Sequence, residues 1–381
     1  MPAEHPVPGA PRVSDRGPDF AFDRVLVCGI GLIGGSVARA LRRMHREGRA
    51  GGAGVIAAAD PHAAALTRAL ALGMIDEACV LAPVEGSGDD AAPVAADAGG
   101  WGEAEAAAFA RLAARADLIV LAAPVAQTRA LLAHAAPVLR ADAVLTDVGS
   151  TKGQVCDAAR ELLGPRHARF VAAHPIAGGE ASGVDAGDAA LFAGRDVILC
   201  PAPDTAPDAV TRVAAMWRLA GARTACMTPA RHDQLFAGVS HLPHLLAFAF
   251  IEHILQSEGA DERLAFAGPG FRDFTRIAAS NPRMWRDICL ANRTAVLADL
   301  DRYLAVLGGV RTALAEADGD TLEALFSRSR AAREGWHPGA ARVESTAAPA
   351  TAPAASHAGN RNETADDLSS TAGKPMKNRN I

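Results

Sequence analysis

The stretch VLVCGIGLIGGSVARAL, residues 25–41, decides the fold of the first half of the chain. An apolar run typical of a buried strand meets a glycine-rich turn, and the residues after the turn have apolar positions at helical spacing. Gly29, Gly31 and Gly34 stand at the G-x-G-x-x-G spacing of dinucleotide-binding turns. In such turns the first glycine permits the bend, the second lets a pyrophosphate approach the backbone, and the third lets the helix pack closely on the strand. The stretch therefore predicts the start of a βαβ unit.

A second strand is predicted at 54–60 and ends on Asp60. A carboxylate at this place can accept hydrogen bonds from an adenosine ribose diol and would repel a 2′-phosphate, so NAD is favoured over NADP as the cofactor. A simpler interpretation stays open, in which the glycines only form a tight turn and Asp60 caps the next helix. Four more residues near these strand ends are predicted to bind the cofactor: Leu32, Ile33, Ala123 and Pro124.

The order of elements predicts an α/β fold followed by helices. Strands alternate with helices over residues 22–228, which indicates a Rossmann-type, doubly wound parallel sheet covered on both faces. Residues 81–103, rich in glycine, proline and acids, are interpreted as a surface insertion. Residues 229–336 have only helical patterns and are expected to form a second, all-helical domain. The termini, 1–21 and 337–381, are expected to be disordered.

Composition excludes several classes of protein. The formal net charge is -5 and the basic residues are scattered, which argues against a nucleic-acid partner and favours a small-molecule substrate. The six cysteines form no C-x-x-C pair and no cluster at metal-ligand spacing, so no metal site is expected. We also expect no targeting signal and no run long enough to cross a bilayer, and therefore a cytoplasmic protein.

The stretch FVAAHPIAGGEASGVD, residues 170–185, contains a candidate for chemistry. An apolar run ends at His174, and Pro175 is expected to stop the strand and present the imidazole at a carboxyl edge of the sheet. A neutral imidazole near pH 7 can accept a proton. On its own, His174 is equally consistent with a polar residue that closes a strand.

Four stretches join the glycine-rich turn: DVGSTKG (147–153), HPIAGGE (174–180), SHLPH (240–244) and GFRDFTRIAASNPRMW (270–285). In this order, and over residues of about 22 to 335, the chain resembles the prephenate/arogenate (cyclohexadienyl) dehydrogenase family of tyrosine biosynthesis. The resemblance implies NAD-dependent oxidative decarboxylation of prephenate to 4-hydroxyphenylpyruvate and CO2, with arogenate to tyrosine as a related reaction. It also implies a homodimer formed through the helical domain.

The resemblance also implies roles for particular residues. His174 matches the family's catalytic histidine, and Ser150 the serine near the substrate hydroxyl and the nicotinamide, although Ser150 could instead cap a helix beginning at Thr151. Arg276 matches the arginine that binds a substrate carboxylate, and Arg272 lies one helical turn earlier. Three further residues match positions of the substrate pocket: Glu180, His244 and Trp285. A solvated helix face is the alternative for the two arginines, and a core or surface role is the alternative for the other three residues. His241 is expected to pack or cap within its helix.

The sequence departs from the family pattern in two places. Gly179 stands where a side chain often lies, and Pro269 interrupts a run that is frequently all glycine, so the substrate preference between prephenate and arogenate stays open. Two other functions are weighed against this one. A 3-hydroxyacid-type dehydrogenase would need a lysine in the helical domain, but lysine occurs only at positions 152, 374 and 377. The other is a sensor that binds NAD without turnover.

Overall fold

A single sheet of eight strands forms the centre of the computed structural model, which describes residues 22–49, 52–81, 101–179 and 181–336. The strands lie in the order β3-β2-β1-β4-β5-β6-β7-β8. Their bounds are β1 Phe22–Cys28, β2 Ala53–Asp60, β3 Glu77–Val80, β4 Leu118–Leu121, β5 Val144–Asp147, β6 Phe170–Pro175, β7 Asp196–Cys200 and β8 Arg223–Cys226. Strands β2 and β3 are added on one side of β1, and after β3 the chain returns to add the remaining strands on the other side, as in doubly wound dinucleotide-binding folds.

The sheet is parallel from β1 to β6, and β7 runs antiparallel to β6. The prediction of a Rossmann-type sheet is confirmed, with this one reversal added. The physical reason lies in the connection between β6 and β7, because its described residues, 176–179 and 181–195, contain one 3-10 turn and no α-helix. A parallel return needs a long crossover, usually a helix, whereas an antiparallel return does not. After α6 the chain forms β8, which is parallel to β7.

Helices cover both faces of the sheet, which explains the uninterrupted apolar runs in its strands. Val25 and Val27 of β1 face one hydrophobic core, while Leu26 and Cys28 face a second core on the other side. Successive strand side chains point to opposite faces, so a strand buried on both faces is apolar throughout. The helices of this part are α1 Leu32–Arg46, α2 Ala63–Ala71, α3 Glu103–Ala113, α4 Thr128–Ala135, α5 Gly153–Leu163 and α6 Pro207–Leu219.

The described residues after β8 are helical. They form α7 Pro229–Phe236, α8 Leu242–Leu255, α9 Ala260–Ala265, α10 Pro269–Thr275, α11 Pro282–Ala291, α12 Arg293–Ala315 and α13 Gly319–Glu334. All described residues belong to one compact unit. The predicted order, an α/β sheet and then a helical part, is confirmed.

The expectation that no run is long enough to cross a bilayer needs a correction. A turn of π-helix, Ala237–His241, joins α7 to α8, so that Pro229–Leu255 is one continuous helical stretch of 27 residues. By length and composition alone this stretch could span a membrane. Polar side chains interrupt the apolar runs in sequence, but three of them, His232, Asp233 and His241, are buried within the fold.

One predicted helix start differs from the structure. The helix expected from Thr151 begins at Gly153. The predicted insertion at 81–103 lies mostly outside the described residues, and its last residue, Glu103, begins α3. The termini expected to be disordered, 1–21 and 337–381, also lie outside the described residues.

Candidate active site

The glycine-rich turn has the geometry that its three glycines predict. Gly29 has a φ of +95°, and a Cβ atom there would lie 2.6 Å from the carbonyl oxygen of Ala122. A Cβ atom on Gly34 would lie 1.9 Å from the carbonyl oxygen of Gly29, because α1 packs directly against the turn. A Cβ atom on Gly31 would meet no described atom within 4 Å. The backbone at Gly31 is therefore open to a ligand, while the other two glycines allow close packing.

A cavity of about 410 Å³ lies beside this turn, at the carboxyl ends of β1, β2 and β4. Its lining includes Gly29, Gly31, Asp60, Ala123 and Pro124, all predicted as cofactor-binding residues. It also includes residues that the sequence did not single out, among them Ile30, Pro61, His62, Gln127, Leu131 and Val184. Ligands of open α/β sheets bind in such a crevice, so the residues present fit a dinucleotide.

Two predicted cofactor residues lie outside the lining that the described residues form. Leu32 begins α1, and Ile33 packs against the hydrophobic core beneath that helix. Gly34 also lies outside the lining, and its place is explained by helix packing.

Asp60 links the turn to the second strand. Its Oδ2 atom accepts a hydrogen bond from the backbone N–H of Ile30 at 2.8 Å. Its Oδ1 atom accepts one from the backbone N–H of His62 at 2.8 Å and lies 3.0 Å from the Nδ1 atom of that residue. Asp60 thus braces the turn and the start of the next helix, in partial agreement with the capping alternative. Among the described residues, the Oδ2 atom accepts from Ile30 alone and keeps a second lone pair, so it has capacity for a ribose hydroxyl.

His174 lies in β6, one residue before its end at Pro175. Its Nδ1 atom is 2.8 Å from the Nε2 atom of His232 in α7, and the Nδ1 atom of His232 is 2.8 Å from Oδ1 of Asp233. The ring of Phe236 packs against both imidazoles, with centroid distances of 4.8 Å to His174 and 4.5 Å to His232. His174, the candidate base, is therefore hydrogen-bonded to a histidine of the helical part, and that histidine is hydrogen-bonded to a carboxylate.

Asp233 also holds the loop after β5. Its two oxygens accept hydrogen bonds from the backbone N–H groups of Lys152 and Gly153, each at 2.8 Å. The N–H groups at the start of a helix have no partner within the helix itself. Asp233, which is distant in sequence, therefore caps α5. Ser150 lies in the same loop, and its own side chain does not cap α5 in the structure. The capping alternative for Ser150 was therefore wrong.

Lys152 is fully buried under this loop. Its ammonium group pairs with Asp147 and donates a hydrogen bond to the carbonyl oxygen of Ala173 at 2.7 Å. Asp147 in turn accepts from the backbone N–H of Ala173 at 3.0 Å. The pair joins the ends of β5 and β6, immediately beside His174.

The surroundings of His174 keep its imidazole neutral. Burial lowers the pKa of His174 well below its ordinary value, and Lys152, His232 and His241 act in the same direction. Burial also lowers the pKa of His241, to about 4. Burial lowers the pKa of His232 as well, although its hydrogen bond to Asp233 opposes this effect. At neutral pH His174 can therefore accept a hydrogen bond or a proton.

His244 and Trp285 form a second group of predicted residues. Their rings are stacked, with centroids 3.5 Å apart, and the Nδ1 atom of His244 lies 2.8 Å from the carbonyl oxygen of Ser240. Burial lowers the pKa of His244, and the positive charge of Arg276 lowers it further. Helix α11, which carries Trp285, packs against the 3-10 turn Val125–Gln127 next to the cavity. The structure thus brings Arg276, His244 and Trp285 together.

The surroundings of Arg272 and Arg276 differ more than the spacing of one helical turn suggested. Arg272 lies in α10 and its side chain is 77% exposed, 3.4 Å from Asp273. Arg276 is also exposed, but it begins the 3-10 turn after α10 and acts electrostatically on His244. Glu180 lies outside the described residues. Among the described residues, Leu32 alone lies near a Cβ atom placed on Gly179, at 3.8 Å.

Sequence reasoning missed His232 and Asp233 as partners of His174. The pair lies in the polar stretch PARHDQLF, residues 229–236, where Arg231 and Gln234 flank it, so no contrast with apolar neighbours marked the two side chains as buried. Sequence reasoning considered Lys152 only in relation to the lysine that a 3-hydroxyacid-type dehydrogenase would need in its helical domain. The available signal for a structural ion pair was that Lys152, the one lysine before residue 374, follows Asp147 by five positions.

A sheet with a glycine turn open to a cavity, and a neutral, partly buried imidazole at the same edge, define a dinucleotide-dependent dehydrogenase with a helical second part. Comparisons with known proteins narrow this class. Residues 87–226 match the nucleotide-binding domain of prephenate dehydrogenase, and residues 228–328 match its dimerization domain. The chain belongs to the prephenate dehydrogenase family. The match to the nucleotide-binding domain begins at residue 87, after the glycine-rich turn. The turn is therefore assigned to dinucleotide binding from its own geometry.

Several relatives are similar over most of their length. A prephenate dehydrogenase of Bacillus subtilis is 34% identical over 317 residues, which are 82% of this chain and 76% of the relative. A cyclohexadienyl dehydrogenase of Zymomonas mobilis is 39% identical over 220 residues, 57% of this chain and 74% of the relative. The crystal structure of a prephenate dehydrogenase from A. aeolicus, in complex with hydroxyphenyl propionate and NAD+, is 31% identical with a TM-score of 0.68. It is covered over 98% of its length and matches 82% of this chain.

Proposed function

We propose that this protein catalyses the NAD-dependent oxidative decarboxylation of prephenate to 4-hydroxyphenylpyruvate and CO2, a step of tyrosine biosynthesis. The observation that carries the proposal is the neutral, partly buried His174 at the carboxyl edge that also forms the dinucleotide cavity. The loop after β5 connects the two places, since a Cβ atom on Gly149 would lie 3.2 Å from Val125, the residue after Pro124. Membership of the prephenate dehydrogenase family supports the same reaction.

The reaction requires few groups from the protein. Bound NAD+ supplies a hydride acceptor for the ring carbon that bears the hydroxyl group. The Nε2 atom of His174 accepts the hydrogen bond of this hydroxyl and holds its proton transiently as the carbonyl character of the carbon–oxygen bond grows. That carbonyl withdraws electrons from the ring, so the carboxylate opposite leaves as CO2. The proton then returns to the oxygen of the aromatic product, and no net proton is released.

The substrate's two carboxylates need cationic partners. We assign Arg276 to one of them because a guanidinium offers two parallel donors to a carboxylate and because Arg276 lies beside His244 and Trp285. Arg272, exposed and paired with Asp273, is assigned a secondary, electrostatic role. Ser150 is assigned to the hydroxyl and nicotinamide, and Glu180 to the mouth of the pocket.

The cofactor-binding assignment combines geometry with sequence. Gly31 offers an open backbone to the pyrophosphate at the start of α1, whose N-terminus favours an anion. Asp60 is assigned to the adenosine ribose, and a carboxylate there disfavours the 2′-phosphate of NADP. Ala123 and Pro124 line the cavity on the side of β4. NAD is therefore the proposed cofactor.

We further propose a cytoplasmic homodimer, with residues 22–228 as the dinucleotide-binding domain and 229–336 as the substrate and dimerisation domain. The change from strands to helices between Cys226 and Pro229 supports this boundary. The match of residues 228–328 to a dimerization domain supports the role of the second part. Exposed leucines along α12 supply an apolar face for a second copy.

Steady-state kinetics tests the proposed function. The full chain is mixed with NAD+ and either prephenate or arogenate, and reduced nicotinamide is followed by absorbance. We expect turnover with prephenate, and the ratio of kcat/KM values defines the preference between the two substrates. The same assay with NADP+ tests the role of Asp60. Tight NAD+ binding without turnover of either substrate would favour a sensor and contradict the proposal.

A further inference from the structure

His174, His232 and Asp233 form a continuous hydrogen-bonded series that the proposed reaction does not by itself require. The series runs from Nδ1 of His174 to Nε2 of His232, and from Nδ1 of His232 to Oδ1 of Asp233, with 2.8 Å at each step. His232 is completely buried and Asp233 is 8% exposed. His232 is hydrogen-bonded through both ring nitrogens, so the charge state of Asp233 determines the positions of the protons in the series.

Asp233 determines which atoms of the series donate hydrogen bonds and which accept them. Burial raises the pKa of its carboxyl group, but the hydrogen bonds from His232 and from the backbone N–H groups of Gly153 and Lys152 outweigh this effect and leave the pKa lowered. An ionised carboxylate only accepts hydrogen bonds, so the Nδ1 atom of His232 carries a hydrogen. A neutral His232 then presents a lone pair on Nε2, and the Nδ1 atom of His174 must donate to it.

We propose that His232 and Asp233 are positioning residues that fix His174 in its Nδ1–H tautomer and so make its Nε2 atom the acceptor for the substrate hydroxyl. This inference rests on the proposed function for its chemical consequence. The free imidazole favours the opposite tautomer in water, in which Nε2 carries the hydrogen and cannot accept. In a triad of similar logic, an imidazole in the wrong tautomer costs catalysis by several orders of magnitude.

The surroundings favour this arrangement over a protonated pair. The charged groups that face the two imidazoles are Lys152 and Asp147 below the loop and Asp233 in α7, and His241 is a further titratable neighbour. The buried ammonium of Lys152 disfavours an imidazolium at His174 in the resting enzyme. When His174 takes up the hydroxyl proton, the ionised Asp233 lies at the other end of the series and stabilises the new charge through His232.

Two substitutions at His232 separate positioning from structure. His232→Leu removes both hydrogen bonds while keeping an apolar side chain of comparable size. His232→Gln retains an acceptor for His174 and a donor for Asp233 in one side chain. His167→Leu is the matched control, because it removes another histidine–carboxylate pair, with His167 Nε2 2.7 Å from Asp204, at the surface.

The experiment combines kinetics with NMR on the full-length protein. Long-range ¹H–¹⁵N spectra of histidine-labelled protein report the tautomer of each ring, and the signals lost in His174→Gln assign those of His174. We expect the Nδ1–H tautomer for His174 in the unmodified protein and in His232→Gln, and the Nε2–H tautomer in His232→Leu. We expect kcat to fall about a hundredfold in His232→Leu and less than about tenfold in His232→Gln, with KM for both substrates within about twofold.

Two results would overturn the proposal. One is an Nε2–H tautomer for His174 in the unmodified protein, which can be read even if His232→Leu fails to fold. The other is a folded His232→Leu that binds NAD+ normally and keeps its kcat within about twofold, as we expect of His167→Leu. The two failures are distinguishable, since absence of turnover in the unmodified protein would refute the proposed function while leaving the tautomer measurement intact.

Discussion

Lys152 and Asp147 form an ion pair in which both side chains are buried, at the place where β5 ends. The same lysine donates to the carbonyl oxygen of Ala173, and the same carboxylate accepts from the N–H of that residue. The pair therefore connects two neighbouring strands through the backbone N–H and carbonyl groups of one residue, Ala173. Since Ala173 immediately precedes His174, the ion pair helps to determine where the imidazole lies.

Removal of the lysine should destabilise the fold strongly. Lys152→Met leaves the Asp147 carboxylate buried without its cation, and we expect the free energy of unfolding to fall by about 3–5 kcal/mol. Urea denaturation followed by circular dichroism measures the change. Arg140→Met is the control, because it removes an exposed ion pair with Asp142 and should cost no more than about 1 kcal/mol. Equal losses in the two variants would contradict this account.

Replacement of the candidate base should affect turnover and leave cofactor binding intact. His174→Asn removes the acceptor at Nε2, so we expect kcat to fall by about a hundredfold or more. The affinity for NAD+, measured by calorimetry, should stay within about twofold, because the lining of the cavity is unchanged. An unchanged kcat would refute the assignment of His174.

The glycine-rich turn shows what could be predicted from sequence. Gly29, Gly31 and Gly34 are neighbours in the chain, and their spacing alone determines a backbone path that the structure confirms. The strands of the sheet could be predicted equally well, because a strand that is buried on both faces is apolar along its whole length. The order of the strands up to β6 follows from the βαβ pattern, whereas the reversed direction of β7 depends on a connection without a helix.

The partners of His174 show what could not be predicted. His174 and His232 are 58 positions apart, and their hydrogen bond exists only because α7 packs against the end of the sheet. No local pattern encodes that contact. Family resemblance identified His174 itself, but a polar pair within a helix has no periodic signature that distinguishes a hydrogen-bonded partner from a solvated residue. The double use of Asp233, which caps α5 and binds His232, is likewise a tertiary feature.

The two arginines of the α10 region should contribute unequally. Arg276→Ala removes the guanidinium that lies near His244, so we expect KM for prephenate to rise by about tenfold to a hundredfold. Arg272→Ala removes an exposed side chain beside Asp273 and should change KM by less than about threefold. Initial-rate kinetics at saturating NAD+ distinguishes the two variants. A larger effect at Arg272 would reverse the assignment.

Buried histidines should make the fold less stable in mild acid. Burial lowers the pKa values of His174, His232 and His241 in the folded state, whereas an unfolded histidine titrates near 6.5. Below that pH the unfolded chain binds more protons, so the free energy of unfolding decreases as the pH falls. For His241 the decrease continues to a pH of about 4, its value in the folded state.

Urea denaturation at a series of pH values between 7 and 4 measures this effect. His241→Gln should reduce the slope of stability against pH, because one of the depressed groups is gone. The control is His253→Gln, which replaces an exposed histidine of α8. Identical slopes in the unmodified protein and in His241→Gln would contradict the role of that imidazole.

The apolar stripe along α12 should form the contact between two copies of the chain. Leu297, Leu304, Leu307 and Leu314 are between 44% and 64% exposed, and at 3.6 residues per turn they fall within an arc of about 100°. Leu304→Glu places a charge in this stripe, and we expect the dimer to dissociate at least about a hundredfold more readily. Sedimentation equilibrium measures the association constant. Leu70→Glu, at an exposed leucine of α2, is the matched control and should leave it unchanged. If Leu304→Glu remains as dimeric as the unmodified protein, the contact between copies lies on another face.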